Sequence, residues 1–463
     1  MSKIMIGLEV HVQLDTKSKL FCRCTTFASE PNTATCPICL GHPGSKPVLN
    51  MKAVEHAAKI ALALKSKINS EFFFSRKTYF YPDMAKNFQI SQYEIPLAEG
   101  GIVELASGKK VKLRRIHIEE DPAALVHESG VGASQFSLVD YNRSGIPLVE
   151  IVSEPDMSSP EEARQFLDSL LTTLSYVEVF DQGKGVLKAD ANISIAGSER
   201  VEVKNISGFR AVEKALAYEA IRQERLLSEG KKVARETRGF DDATSSTYSM
   251  RTKETEDDYG FIFDSDLTKI SVDEKWLDAV KASLPELASE KAGKFMKKYG
   301  LNEYDAKVLA SSKELAELFE AVSSKVNAET AAKFLARELL GVLNYNNIPL
   351  KGNNVRASDI TELLVLIEAG KVSEKNAKQA TIAYCLEKTP PKQYLEKNGL
   401  LIDSSFDIER EVRKVLQDNK KAADDLRAGN QKSMNFLVGQ VMKAVKGKAD
   451  ARKIQETIKK QLK

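Results

Sequence analysis

The sequence predicts an α+β chain in which a sheet-bearing N-terminal part is followed by an almost wholly helical remainder. Three observations carry this. Strand and helix patterns are mixed without strict alternation as far as about residue 284, which argues against a doubly wound parallel sheet. From LPELASEK onward the pattern is helical, with Lys and Glu outside and little β-branched alternation. The opening stretch KIMIGLEVHVQL alternates with a period of two, setting Ile4, Ile6, Leu8, Val10, Val12 and Leu14 on one side and Glu9, His11 and Gln13 on the other. That strand is predicted to give one face to the core and the other to chemistry.

A knuckle follows the strand. Cys22 and Cys24 form C-x-C, and after eleven intervening residues Cys36 and Cys39 form C-x-x-C. Two close pairs joined by a short loop suit tetrahedral zinc, an iron–sulfur cluster being the alternative metal reading and two disulfides or four unrelated thiols the metal-free ones. A closed site of four thiolates has no open coordination position, so its expected role is structural. Met1 runs within three residues into the first strand and no apolar run reaches membrane-spanning length, so a cytoplasmic, thiol-reducing setting is expected.

Asn50 is a candidate N-cap for an amphipathic helix over Met51 to Ile68, carrying Val54, Ala58, Ala61 and Leu62. The next segment, FFFSRKTYFYPDMAKNFQISQY, is rich in aromatics with a turn at Pro82 and Asp83. It reads either as a strand pair packing its rings in a core or as a substrate-lining loop, since Arg76, Lys77, Asp83, Lys86 and Gln89 interleave with the rings. A hairpin or meander spans Gly101 to Glu120, and Glu120 lies in phase with Ile116 and Ile118, out of phase with His117 and Glu119. Glu150 likewise lies in phase with Leu148 and Val152 in an apolar strand. Carboxylates so placed need partners, and a metal would serve. Ser159, Pro160 and Glu162 have the form of a helix start with a capping box, and Phe166, Leu167, Leu170, Leu171 and Leu174 form its buried stripe. Strands are expected around KADANISI and RVEVKN, then a helix over Ala211 to Glu229.

Breaks fall between Trp276 and Pro285, at Thr389 to Pro391, and around Asp403 to Phe406, giving expected domains 1–285, 286–402 and 403–463. With 463 residues, 42% hydrophobic and 29% charged, the composition is that of a soluble globular protein of several domains. The net charge of +3 is uneven, because Leu426 to Lys463 holds ten Lys or Arg against two acids and leaves the rest about −5. A basic end segment makes nucleic acid a candidate partner, a solvated helix face being the plainer reading.

Seven blocks in order, IGLEVHVQL, CPICLGHPGSKPVLN, YFYPDMAKNFQISQ, IHIEEDPA, SLVDYNRSGIPLVEIVSEPD, KADANISI and LVGQVMKAVKGKAD, resemble the GatB family, the B subunits of the tRNA-dependent amidotransferases, along essentially the whole chain. The resemblance implies an N-terminal cradle domain with a largely antiparallel sheet, a helical domain and a small helical YqeY-like tail that binds tRNA. It implies ATP-dependent phosphorylation of the side-chain carboxylate of mischarged Asp-tRNA(Asn) or Glu-tRNA(Gln). Amidation follows, by ammonia channelled from a glutaminase, the A subunit, in a GatCAB heterotrimer completed by a small C subunit. The implied Mg²⁺ site, which is also the expected catalytic set, maps onto Glu9, His11, Glu120 and Glu150; structural Zn²⁺ falls to Cys22, Cys24, Cys36 and Cys39. Lys443, Lys446, Lys448, Arg452 and Lys453 are the expected tRNA contacts. A glycine-rich Walker loop is absent, and Gly260 in DDYGFIFDSDL stands where relatives commonly have arginine. Two rival readings are a GatE-type chain, for whose insertion LPELASEK leaves no room, and a non-catalytic tRNA-binding zinc protein, against which the intact Glu9, His11, Glu120 and Glu150 argue.

Overall fold

The computed structural model describes residues 3–126, 136–181, 183, 185–195, 198–252, 259–402, 408–428, 430–445 and 451–462. It divides into two compact units, Met1–Leu287 and Ala288–Lys463.

The first unit is built on a ten-stranded sheet with Ile4–Gln13 near its middle. Pro147–Ser153 pairs antiparallel on one side of that strand and Leu187–Ile195 on the other. Outward from these lie Lys110–Glu120 and, in the opposite direction, Val201–Lys204, Glu236–Asp241 and Ser246–Thr252. Among the described strands of this sheet one pairing is parallel, Val201–Lys204 with Glu236–Asp241, and the helix Phe209–Ser228 makes the crossover that a parallel pair requires. The expected α+β class with a largely antiparallel sheet is the architecture found.

Period-two alternation decides which face is core. Ile6, Leu8, Val10 and Val12 are at most 1% exposed. They share one hydrophobic cluster with Val54, Ala57 and Ile60 of the helix Met51–Ala63, Phe166, Leu167 and Leu170 of Pro160–Val177, and Val212 and Leu216 of Phe209–Ser228. With this face covered, the other carries the polar residues of the same strands.

Helix starts follow the predicted caps. Asn50 accepts from the Lys52 amide at 3.0 Å and Ser159 from the Glu162 amide at 3.2 Å. Glu162 does not close the box on Ser159; its carboxylate takes the Ser158 amide at 2.6 Å and Lys109 at 2.7 Å. The first helix stops at Ala63, short of Ile68, because Lys65 turns left-handed (φ 59°) and the chain enters a short strand at Lys67–Ile68.

The aromatic segment divides between its two readings. Phe72 and Phe74 are fully buried, whereas Phe80 is 79% and Tyr81 55% exposed beyond the Ser75–Thr78 and Phe88–Ser91 strand pair.

The second unit is helical. Of its last four helices, Ile408–Asp418, Lys420–Arg427, Gln431–Ala444 and Ala451–Leu462, the first, third and fourth build a core of Val412, Val415, Met434, Leu437, Val441, Ile454 and Ile458 together with Val445, and the second packs Ala422 and Leu426 against it. Among the described residues no helix is long and apolar enough to cross a membrane.

Candidate metal centres on the polar face of the sheet

Register brings the first group together. His11 stands opposite Glu150 on the neighbouring strand, and Glu150 opposite His117 on the next, so three side chains from three strands emerge on the polar face in one row. Glu119, two residues beyond His117, shares that face. His11 Nε2 lies 3.5 Å from Glu119 and 3.6 Å from Glu150, and His117 Nε2 lies 3.0 Å from Glu150. The donor atoms of His11, Glu119 and Glu150 all fall within 4.8 Å of one another.

Charges here are strongly coupled. Burial works against the imidazolium of His11, but its hydrogen bond to Glu150 and the charges of Glu150 and Glu119 hold its pKa up at about 10. Burial opposes the charge of His117 too, but Glu150 and Glu119 together outweigh it, so that imidazole is also raised. In return, burial penalises the Glu150 carboxylate, yet His117 and His11 hold it well below the usual carboxylate range, and Glu119 is lowered mainly through His117. Two imidazoles and two carboxylates thus form a balanced quartet, and a divalent cation would compete with its protons for the same atoms.

A second acidic group adjoins the first. Glu9 stands opposite Asp190, and Asn192, two residues along, stands opposite Glu202 on Val201–Lys204. Glu9, Asp190 and Glu202 offer oxygens within 4.8 Å of one another. Asn192 donates to Glu9 at 3.1 Å. Lys204 reaches Asp190 at 2.7 Å and Glu202 at 3.6 Å, and although burial disfavours its charge these acids raise its pKa. Beside Glu9 is a cleft of about 170 Å³ whose lining includes Gly7, Arg114, Ser153, Asn192 and Arg200.

Three of the four residues that the family resemblance assigns to Mg²⁺, Glu9, His11 and Glu150, therefore share the polar face. Glu120 does not join them. Alternation turns it to the opposite face, where it pairs with Lys86 and accepts the Ile90 amide at 2.9 Å, while Glu119 occupies the place beside His11. Sequence parity carried this signal, since Glu119 is in phase with His117 and Glu120 is not. Glu119, His117, Asp190, Glu202 and Lys204 were not picked out from sequence as site residues. Their alternation was readable in IHIEED, KADANISI and RVEVKN, but their convergence depends on cross-strand register.

The four cysteines meet as their spacing predicts. Cys22 Sγ lies 3.4 Å and Cys36 Sγ 3.6 Å from Cys39 Sγ, and all four sulfurs fall within 4.8 Å of one another. All four are free, and 3.4 Å is far beyond a disulfide bond of about 2.0 Å. The hydrogen bond from Cys22, aided by the Lys19 ammonium, pulls the Cys39 thiol down to about 4, and the same bond together with burial raises Cys22. Burial pushes Cys24 up to about 11.

Of the expected tRNA contacts, Lys443, Arg452 and Lys453 are exposed, while Lys446 and Lys448 lie outside the described residues. Gly260 has φ +49° with open space where a side chain would begin. Next to it, Phe261 stacks on Tyr93 at 4.2 Å and Lys77 sits 4.5 Å over the ring of Tyr259.

Residues 4–278 match the family described as the GatB/GatE catalytic domain, and residues 317–462 match the GatB domain of the Yqey type. The chain is 43% identical to a Methanosarcina barkeri protein and 45% identical to one of Thermotoga maritima, in each case over 99% of this chain and 98% of the relative. A Methanospirillum hungatei protein is 46% identical over 96% of this chain and 95% of its own length. All three relatives are named as the B subunit of an aspartyl/glutamyl-tRNA(Asn/Gln) amidotransferase.

Proposed function

Since the chain belongs to the GatB family, we propose that it is the B subunit of a tRNA-dependent amidotransferase, the chain that activates and amidates the side-chain carboxylate of mischarged Asp-tRNA(Asn), Glu-tRNA(Gln) or both. The observation that carries the reading is the gathering of two ligand groups, His11 with Glu119 and Glu150, and Glu9 with Asp190 and Glu202, on the polar face of the central sheet.

A carboxylate is a poor electrophile. Transfer of the ATP γ-phosphoryl group to it gives an acyl phosphate, whose carbonyl carbon ammonia attacks as the C–N bond forms and phosphate leaves. Phosphoryl transfer asks a protein mainly for positioning and charge, and a face of fixed carboxylates and imidazoles with no dedicated nucleophile suits it. His11, Glu119 and Glu150 would hold Mg²⁺, with Glu9, Asp190 and Glu202 as a second ligand group; oxygen donors with one imidazole fit that ion. When bound, Mg²⁺ neutralises charge on phosphate oxygens. Asn192 fixes the rotamer of Glu9, and Lys204 orients Asp190 and Glu202 from the strand beside them. Glu120, on the other face, buttresses the end of its strand through Lys86 and the Ile90 amide.

The four sulfurs form a closed set suited to structural Zn²⁺. The last four helices would bring Lys443, Arg452 and Lys453, with Lys446 and Lys448, to tRNA phosphates. The names of the relatives favour this reading over a GatE-type chain. A glutaminase and a small third chain, the A and C subunits, complete the proposed cytoplasmic complex. The test is assembly with candidates for these two partners, followed by transamidation assays on the two mischarged tRNAs with ATP and glutamine. Amide formation on at least one is expected. Its absence on both, with glutamine hydrolysis intact, would contradict the reading.

A further inference from the structure

Lys19 is fully buried, yet it carries a side chain that favours water. A lysine ammonium has three donors, and here each finds an acceptor: the Ala34 carbonyl at 2.9 Å, the Tyr141 carbonyl at 3.1 Å and Cys39 Sγ at 3.6 Å. Two acceptors belong to the cysteine knuckle. The third belongs to a segment more than a hundred residues away in sequence, the one that leads into Pro147–Ser153.

That segment is fastened to the knuckle along its whole length. Asn32 donates its amide to Asp140 at 2.9 Å and its side chain to the Val139 carbonyl at 3.0 Å, and it accepts the Tyr141 amide at 2.7 Å. Asn142 accepts the Ala34 amide at 2.8 Å and donates to the Glu30 carbonyl at 2.6 Å. Ser144 donates to the Cys39 carbonyl at 3.3 Å, and the Leu20 amide donates to the Gly145 carbonyl at 2.8 Å. Gly145 in turn donates to the Asp121 carbonyl at 2.9 Å, and Pro147 pairs with Glu120. The fastened segment therefore meets both strands that carry the acids beside His11.

We propose that Lys19 is a positioning residue: its buried ammonium ties the thiolate cluster to residues 139–145, so that metal loading of the knuckle sets the alignment of Glu150 with His11 and Glu119. Four thiolates around a dication carry a net −2, and a buried ammonium is tolerated only against such charge. Lys19 supplies half of the compensation and, through its N–H···S bond, orients a ligand sulfur as partners outside a metal's ligand set commonly do. Without the ammonium the cluster is over-charged and two carbonyls lose their donor, loosening the segment where it enters the Glu150 strand. The catalytic consequence rests on the reading of function given above; the metal and exchange consequences do not.

Lys19→Met keeps the stem and removes the charge. In the assembled complex its zinc affinity, measured by competition with a chromophoric chelator, should fall by roughly 10- to 100-fold. The thiolate-to-cobalt charge-transfer band of the Co²⁺-substituted protein should shift, and amide hydrogen exchange over 139–146 should quicken. The kcat for amide formation should drop with the KM for mischarged tRNA unchanged. Wild-type zinc affinity together with wild-type exchange protection would overturn the proposal, whatever the activity. If the variant does not fold, zinc removal from the wild-type complex decides. Exchange should then rise at 139–146 and along the Glu150 strand ahead of the rest of the first unit, and a rise confined to the cysteine loops would overturn the coupling.

Discussion

Glu150→Gln keeps the shape of the side chain and removes the charge at the centre of the quartet. Glu150 lies 3.0 Å from His117 and 3.6 Å from His11. At an effective dielectric of about 20, contacts of that length are each worth about 5 kcal/mol of gross attraction, much of it spent on taking the charges out of water. Loss of the charge lets both imidazoles give up protons, so His11 should titrate well below its wild-type value of about 10. That deprotonation relieves the unpaired buried charge, and the fold should survive with its knuckle unchanged. Catalysis should not survive, because removal of one charge-positioning group from such a site costs about 10²–10³ in kcat. The assay follows tRNA-dependent ATP hydrolysis and amide formation in the assembled complex, with glutamine hydrolysis by the glutaminase partner as the control that should persist. Histidine titration by NMR reads the pKa change. Acyl phosphate formed at near wild-type rate by Glu150→Gln would leave Glu150 a structural residue.

Glu119→Gln should behave as Glu150→Gln does, whereas Glu120→Gln, on the opposite face, should lower thermal stability while keeping kcat within about tenfold, as steady-state rates beside a melting curve would reveal. Without Mg²⁺ the raised pKa of His11 means that its imidazolium contributes stability fully below about pH 6.5 and loses it as pH rises toward about 10. Divalent binding must displace that proton, so calorimetry in buffers of different ionisation enthalpy should show proton release and an affinity that rises across this interval; a pH-independent affinity would exclude His11 as a ligand. Cys36→Ser should abolish stoichiometric zinc and lower stability more than it lowers the rate of the folded fraction, which elemental analysis and active-site titration would check. Replacing Lys443, Arg452 and Lys453 together by Ala should weaken tRNA binding and flatten its salt dependence by up to about 0.9 in slope for each phosphate no longer neutralised; an unchanged slope would mark the basic end as a solvated face.

Much of this was legible in the chain. Alternation in KIMIGLEVHVQL assigned both faces of the central strand, and the spacing of the paired cysteines foretold that their four sulfurs would gather. Asn50 and Ser159 marked true helix starts. The helix end at Ala63 was missed because the apolar stripe fades gradually and the left-handed turn at Lys65 has no glycine to signal it. Glu119 and Glu120 differ by one residue and therefore by a whole sheet face: the phase of Glu120 with Ile116 and Ile118 suggested a buried carboxylate in need of a metal, and the structure gives it Lys86 and the Ile90 amide instead. The second acidic group was illegible for a different reason: Glu9, Asp190 and Glu202 are far apart in sequence, and strand order brings them together. Lys19 looked like any surface lysine, since nothing local in the sequence tells that a distant segment will close over it.

In the proposed reaction this polar face passes the ATP phosphoryl group to the side-chain carboxylate of a tRNA-bound acid. Mischarged tRNA carrying ¹⁸O in both oxygens of that carboxylate, given to the assembled complex with ATP and glutamine, is the most direct measurement of that transfer. One ¹⁸O is expected in the inorganic phosphate for each amide formed, because the oxygen that bridges the acyl phosphate leaves with it. Amide formed with unlabelled phosphate would show that no acyl phosphate of this acid precedes it.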